Sequence, residues 1–270
     1  MLLTGLFPVA WAQAPGYRPT PNYVSLGKPD QAEGAQILTE FQKAGIAGTY
    51  WLDFELQVMP RSGPETVVAG QIIGTRSERG PLTRLTIEPK QWLIQSGPQP
   101  SAWTAQKESR SEVLTSAQTL DPLAGTDLTI FDLQMPFFYW TDFIYEGLAR
   151  IRGRPAHSFV LYPPKELANS RPDLTGVRVF LDTQFQALVQ AELLGSKGAV
   201  EKIITILDLK KVGERWIPKS IDFRNNLTRG KTRFNVKAAA LDLTLPDEVF
   251  DPVKLNLPSP QIPSDKIQRL

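Results

Sequence analysis

The 270-residue chain contains no cysteine and only one histidine, His157. The absence of cysteine excludes disulfides, thiolate metal sites and a lipid-modified N-terminal cysteine. A single histidine, without carboxylates clustered at ligand spacing, does not predict a metal site either. We therefore expect neither a metal nor another cofactor in this protein.

The sequence also lacks the common catalytic and phosphate-binding motifs. No Gly-x-Ser-x-Gly elbow accompanies His157, and no Gly-x-Gly-x-x-Gly or phosphate-binding loop is present. Asp53 and Glu55 lie two residues apart in a strand-like segment, so they share the face opposite the apolar residues. Solvent exposure explains this pair better than acid/base chemistry. We expect no enzyme, and an esterase that depends on His157 is the catalytic alternative.

Neither sign of charge dominates the whole chain, because 30 basic residues balance 28 acidic ones and the formal net charge is +2. This balance does not favour nucleic acid as a partner. After the N-terminal residues, no apolar run reaches the roughly 18 to 20 residues that a membrane-spanning helix needs.

The N-terminal residues form an apolar run over 2–11, followed by the sites Ala10-Trp-Ala12 and Ala12-Gln-Ala14. This pattern is typical of a secretory signal, although the basic n-region is missing, which leaves open a start codon at a different position. We predict a signal peptide over 1–12, an extended leader over 13–29 and a periplasmic location. An apolar tail is the alternative. The lack of disulfides fits a bacterial periplasm.

Two kinds of periodicity follow. Residues 30–45 predict an amphipathic helix, with Asp30 as its cap and Gly45 as its end. From Tyr50 the apolar period changes to two, and turn residues such as Gly80-Pro81 separate short segments. Residues 101–118 are not assigned. The predicted strands are 50–58, 65–75, 82–87, 91–95, 146–152, 157–162, 177–182, 187–194, 199–209, 214–223 and 231–241.

The aromatic segment, residues 125–143, interrupts this alternation. Leu128, Phe131 and Met135 recur at helical spacing, Thr126 or Asp127 can cap the first turn, and Pro136 ends it. Aromatic side chains bury roughly 150–250 Å² each, so this segment needs an apolar surface opposite. Its aromatic residues are Phe131, Phe137, Phe138, Tyr139, Trp140 and Phe143.

About a dozen strands do not remain in one flat sheet, because strand twist makes large sheets curl. The concave face must then be closed or filled, and the two helical segments are the candidates. We predict an α+β, mainly β fold: a strongly curved antiparallel sheet, or half-open β-barrel, with short helices covering the concave face. It would form a single domain over 30–255 with a Pro-rich tail over 256–270.

The alternation also predicts which residues face the concave side. They line a hydrophobic cavity or a filled core, since both use the same residue types. Four residues of the aromatic segment would form a lid: Phe131, Met135, Phe138 and Trp140. The predicted cavity residues are Leu52, Phe54, Leu56, Val58, Leu85, Ile87, Phe159, Leu161, Val177, Val179, Ile217, Ile221, Phe234 and Val236.

Residues 195–240 are strongly basic, with eleven Lys and Arg against four Asp and Glu, an excess of seven. One interpretation is a docking face, around Lys231, Arg233 and Lys237, for anionic lipid headgroups or an acidic partner protein of the inner or outer membrane. The other is that lysines protect strand edges.

Several segments stand in a characteristic order over roughly residues 30–255. They are Gly125-Thr-Asp-Leu-Thr-Ile-Phe-Asp132-Leu133, Gly147-Leu-Ala-Arg-Ile-Arg-Gly153 with the strand 157–163, Val177-Arg-Val-Phe-Leu-Asp182, Gly213-Glu-Arg-Trp216-Ile-Pro218, Asn225-Asn-Leu-Thr-Arg-Gly-Lys-Thr232 and Leu245-Pro-Asp-Glu-Val-Phe250. As an ordered series they resemble the bacterial outer-membrane lipoprotein-sorting superfamily. The resemblance implies a half-open barrel closed by short helices, with a cavity that holds lipid acyl chains in the periplasm.

From this resemblance we expect a monomeric periplasmic carrier that binds lipid acyl chains or a lipoprotein for transfer towards the outer membrane. The alternative is a periplasmic protein-interaction or envelope-sensing module on the same scaffold.

Overall fold

The computed structural model describes residues 18–19, 29–43, 45–106, 109–185 and 187–270. The predicted signal peptide and most of the predicted leader lie outside these residues. In the described ranges the chain is mostly β, and fourteen strands form one antiparallel sheet that does not close into a barrel. The predicted fold class is therefore confirmed. No helix in these ranges combines the length and the apolar character needed to span a membrane.

The strands, in chain order, are β1 Thr49–Met59, β2 Thr66–Ser77, β3 Gly80–Ile87, β4 Lys90–Gln95, β5 Ser101–Gln106, β6 Glu112–Val113, β7 Phe143–Ile151, β8 Arg154–Leu161, β9 Gly176–Asp182, β10 Leu188–Leu194, β11 Val200–Val212, β12 Arg215–Asn225, β13 Lys231–Leu243 and β14 Gln268–Arg269. The α-helices of the described residues are α1 Gln31–Lys43, α2 Ile130–Gln134 and α3 Lys165–Ser170. A 3-10 helix, Pro136–Tyr139, directly follows α2.

The order of the strands places β1 and β13 side by side at the centre of the sheet. It runs β6-β5-β4-β3-β2-β1-β13-β12-β11-β10-β9-β8-β7, with β14 added to β13. β1 and β13, which are far apart in sequence, pair over ten residue positions. The short β6 and β7 are consequently the two edges, and no strand pairing joins them.

The inner face of the sheet is the face that carries the main hydrophobic core. On β1, Leu52, Phe54 and Leu56 are at most 6% exposed and belong to this core. The Phe54 ring stacks on Phe234 of β13, with centroids 4.5 Å apart. Gly70 on β2 leaves room for that ring, since a Cβ there would lie 2.4 Å from the tip of Phe54.

The C-terminal residues cover part of the outer face. Val249, Phe250 and Leu255 pack on apolar side chains of β1, β2, β4 and β5. Arg84 of β3 is 2% exposed and donates to the carbonyl oxygens of Val249, Leu255 and Leu257. The amide of Leu270 donates to the carbonyl of Lys237 at 2.8 Å. The residues that the sequence predicts as a Pro-rich tail thus lie against the sheet.

Three local expectations need correction. The first helical turn of the aromatic segment is capped by Thr129, not by Thr126 or Asp127. The unassigned residues 101–118 contain β5 and β6, and α3 was not predicted. α3 is one and a half turns long and buries only Leu167, so it carries no readable helical period.

Candidate functional site

The predicted cavity residues converge on one core, with one exception. Ile221 is half-buried and packs against this core, whereas Val58 is half-buried and lies outside it. The buried members are Leu52, Phe54, Leu56, Leu85, Ile87, Phe159, Leu161, Val177, Val179, Ile217, Phe234 and Val236. The structure therefore brings together the side chains that the alternation selects, and their role in ligand binding stays a prediction.

The aromatic segment fills the inner face as two short helices joined at Met135. Thr129 Oγ1 accepts from the Asp132 amide at 3.1 Å, and Asp132 Oδ2 accepts from the Thr129 amide at 2.8 Å, which forms a capping box. Met135 takes the left-handed conformation (φ 45°) and ends α2, so that Pro136 can begin the 3-10 helix.

The predicted lid residues all lie within residues 130–140, which fill the inner face and which we call the plug. Phe131 and Phe138 are at most 3% exposed, while Met135 and Trp140 are half-buried against the core. Phe137, which the sequence analysis did not select, is fully buried, 4.8 Å from Phe138 between ring centroids. α1 completes the cover, with 4.3 Å between the centroids of Phe41 and Phe138.

A few polar contacts fasten the aromatic segment to the sheet. The Asp127 amide donates to Thr232 Oγ1 at 2.8 Å, and Gln134 Nε2 donates to the Gln95 carbonyl at 2.8 Å. On the other side, Gln42 of α1 donates to the Phe138 carbonyl at 2.7 Å. These contacts link the segment to β13, to β4 and to α1.

A buried ion pair joins Asp132 of α2 to Lys202 of β11. Asp132 is fully buried, the Lys202 side chain is 10% exposed, and Asp132 Oδ1 has no hydrogen-bond partner among the described residues. The sequence analysis counted Lys202 only as part of the basic region. Its position two residues before the buried Ile204 was the available signal, since alternation then places it on the inner face.

Two small cavities flank the plug. One, of about 250 Å³, lies between the aromatic segment, β5 and α3, and its walls include Ser101, Leu114, Phe131, Trp140 and Leu167. The other, of about 190 Å³, lies between α1 and β8–β9. Pockets for small molecules usually measure roughly 300–1,000 Å³. Both volumes lie below this range, and the aromatic segment occupies the inner face beside them.

His157 lies on β8 beside the second cavity. Its Nδ1 is 2.8 Å from the Tyr145 hydroxyl, and burial lowers the pKa of His157, partly offset by Glu33. Its neighbour Ser158 instead donates to Glu146 at 2.5 Å. In the described residues no group of three His, Cys, Asp or Glu side chains is arranged to hold a metal ion.

The basic region is largely paired within the protein. Lys231 and Arg233 both contact Asp222, at 3.7 and 2.7 Å, and Lys237 contacts Glu55 at 3.2 Å. These three cations on β13 therefore already have acidic partners within the protein.

Solved structures with the same fold cover most of this chain. A DUF1329 family protein from Desulfovibrio piger has a TM-score of 0.71 at 12% identity, covering 83% of this chain and 98% of that one. A domain from Vibrio parahaemolyticus, described as a candidate outer membrane lipoprotein-sorting protein, has 0.71 at 16%, covering 83% and 97%. A LolA superfamily protein from Nitrosomonas europaea has 0.61 at 14%, covering 80% and 96%.

Because the sequence identities are low, these likenesses establish the fold alone. No curated protein matches the chain significantly. A family model described as "Uncharacterized protein" matches residues 106–256, which is more than half of the chain. The protein therefore belongs to that family and has the fold of the outer-membrane lipoprotein-sorting proteins.

Proposed function

We propose that the protein is a non-enzymatic periplasmic carrier. It binds lipid acyl chains, free or as part of a lipoprotein, on the inner face of its sheet and releases them towards the outer membrane. One observation carries this proposal: the apolar inner face is covered by α2 and the 3-10 helix Pro136–Tyr139, which add no strand to the sheet. These helices can leave without breaking a strand pairing.

The free energy gained by burying an acyl chain is comparable with the free energy lost by exposing the rings that it replaces. Burying about twelve methylenes contributes roughly 10 kcal/mol at about 0.8 kcal/mol each. Exposing Phe131, Phe137 and Phe138 costs about 2 to 3 kcal/mol for each ring. These two apolar terms are similar in size, so an acyl chain can take the place of the three rings with little change in buried apolar surface.

The small cavities indicate where exchange begins. The cavity of about 250 Å³ lies beside Phe131 and Trp140, between α3 and β5, the strand next to the edge strand β6. Its walls are mostly apolar, so an acyl chain can enter there before the plug moves. The space gained by moving the three phenylalanines then brings the site into the range of lipid pockets.

Native mass spectrometry of the gently purified protein tests the proposal directly. We expect mass adducts that organic extraction identifies as phospholipid, fatty acid or an acylated peptide. Spectra that stay free of adducts, also after incubation with a fatty acid, would contradict the carrier function.

Substitution of Trp140 tests the entry site. Trp140→Asp places a carboxylate in an apolar cavity wall, so we expect the affinity for a fluorescent fatty acid to fall about tenfold or more. Trp103→Asp is the matched control, because Trp103 is also half-buried but packs on the outer face. Equal losses in both variants would contradict entry at Trp140.

The filled interior favours one alternative, a protein-interaction or envelope-sensing module without a ligand. In that case the mass spectra stay clean, and a pull-down from envelope extract recovers an acidic protein. Reversal of Lys231, Arg233 and Lys237 to glutamate would then abolish the recovery.

A further inference from the structure

In the half of the sheet that ends at β7, three turns lie at one end. Neighbouring strands run in opposite directions, so the β7–β8, β9–β10 and β11–β12 turns all lie at the same end. We call the basic and exposed aromatic residues of these turns and of the adjoining strand ends the rim. Its members are Arg150, Arg152, Arg154, Phe185, Lys210, Lys211, Arg215 and Trp216. The β12–β13 turn lies at the opposite end.

The rim holds the exposed aromatic residues of the described chain. Phe185 in the β9–β10 turn is 65% exposed, and Trp216 at the start of β12 is 61% exposed. Every other described Phe, Tyr or Trp is buried or half-buried. Two large aromatic side chains at one end, each without a covering surface, indicate a contact outside the chain.

The charges of the rim are predominantly positive. Its three turns hold six basic residues against Asp182, which is buried, and Glu214. Lys211 pairs with Glu214 at 2.9 Å, and Arg215 pairs with Asp242 at 2.7 Å. Arg154 lies 3.9 Å from Asp182. The other three cations, Arg150, Arg152 and Lys210, form no ion pair within the described residues, and all three are exposed. The register places Lys211 directly opposite Trp216.

We propose that the rim docks on an anionic membrane surface. Tryptophan and phenylalanine favour the boundary between headgroups and acyl chains, and lysine and arginine bind the phosphates beside them. The rim side chains stand on turns and on the strand ends beside them, which can enter a soft lipid surface. Docking by the rim would also bring the end of β9, and thus the cavity beneath α1, close to the membrane.

Vesicle flotation tests the rim. We expect the protein to float with vesicles of phosphatidylglycerol and phosphatidylethanolamine, less so as salt rises, and to bind phosphatidylcholine vesicles weakly. The variant Phe185→Ser/Trp216→Ser should bind the vesicles at least about tenfold more weakly than the wild type. Leu227→Ser is the matched control, because Leu227 is 71% exposed in the β12–β13 turn. It should float like the wild type.

Three outcomes would overturn the proposal: no flotation of the wild type, flotation of the double variant at the wild-type level, or equal loss in the Leu227 variant. The test is separate from the carrier function, since flotation is read without cargo. A rim variant that no longer floats but still binds a fluorescent fatty acid would support the rim and leave the acyl site intact. A variant that floats normally but no longer binds the fluorescent fatty acid would count against the role of its residues in membrane docking and point to the acyl site instead.

Discussion

At the scale of single residues, the attraction between the Lys202 ammonium and the Asp132 carboxylate opposes the cost of removing both charges from water. Both charges are withdrawn from water beneath the aromatic segment, and the Lys202 ammonium lies 5.9 Å from the Phe223 ring centroid. Burying two charges together is nearly neutral, but leaving either one alone is strongly unfavourable. The pair therefore holds α2 in one position on β11.

We predict that Lys202→Met lowers the free energy of unfolding by about 3 to 5 kcal/mol, because Asp132 is left as an unpaired buried charge. The double variant Lys202→Met/Asp132→Asn should regain most of this loss. Urea unfolding measures both. Lys211→Met, which removes an exposed ion pair, is the control and should cost less than about 1 kcal/mol. A double variant as unstable as the single one would refute this account.

His157 predicts a pH dependence of stability. Burial lowers its pKa below the ordinary value of about 6.5, so the unfolded state binds more protons just below that pH. The stability associated with His157 is therefore complete above pH 6.5 and falls as the pH drops towards the folded pKa. Between pH 7.5 and 5.5 we expect a larger loss of unfolding free energy in the wild type than in His157→Gln. Equal losses, measured by urea unfolding, would show that His157 contributes nothing.

At the scale of elements, the aromatic segment depends on its cap. α2 has only five residues, too few to be stable without tertiary contacts, and its capping box satisfies two amides at its start. Weakening the cap should loosen the segment while leaving the sheet intact.

Thr129→Ala should lower the free energy of unfolding by about 1 kcal/mol. If the segment is the moving part, association of a fluorescent fatty acid becomes faster, which stopped-flow fluorescence measures. Thr129→Ser retains the acceptor and should restore both values. Slower or unchanged association in the alanine variant, despite lost stability, would argue against movement of this segment.

The same elements show what the sequence can predict. α1 and β1 were predictable because each has a long, regular apolar period. The cap was also readable, because Asp132 stands three residues after Thr129 in a capping-box pattern that Thr126 and Asp127 lack, but the sequence analysis did not use that pattern. Whether the inner face is hollow or filled was open, because Phe137 and its neighbours suit both. That question is decided by how side chains pack, which local patterns do not encode.

At the scale of the whole molecule, the pairing of β1 with β13 joins residues nearly 190 positions apart, such as Leu52 and Ala239. No local pattern predicts such a pairing. The C-terminal residues add a second long-range restraint on the opposite side of the sheet. There, the buried guanidinium of Arg84 connects β3 to three carbonyl groups of the last 25 residues.

We predict that Arg84→Lys lowers the free energy of unfolding by about 2 to 3 kcal/mol. The lysine ammonium lacks the planar set of donors that reaches Gln91 and these carbonyls together. Arg79→Lys, in an exposed turn, should change stability by less than about 0.5 kcal/mol. Equal stability of the two variants in urea would mean that the C-terminal residues are held by apolar contacts alone.

The gap between β6 and β7 has a mechanical consequence. In a ring of strands, the number of strands and their stagger determine the diameter, so the enclosed volume is constant. Here the wall ends on both sides, and small changes of twist at many strand pairs can unroll it without losing a ladder hydrogen bond. The girth of the interior is thus not fixed by the number of strands, as it is in a closed barrel.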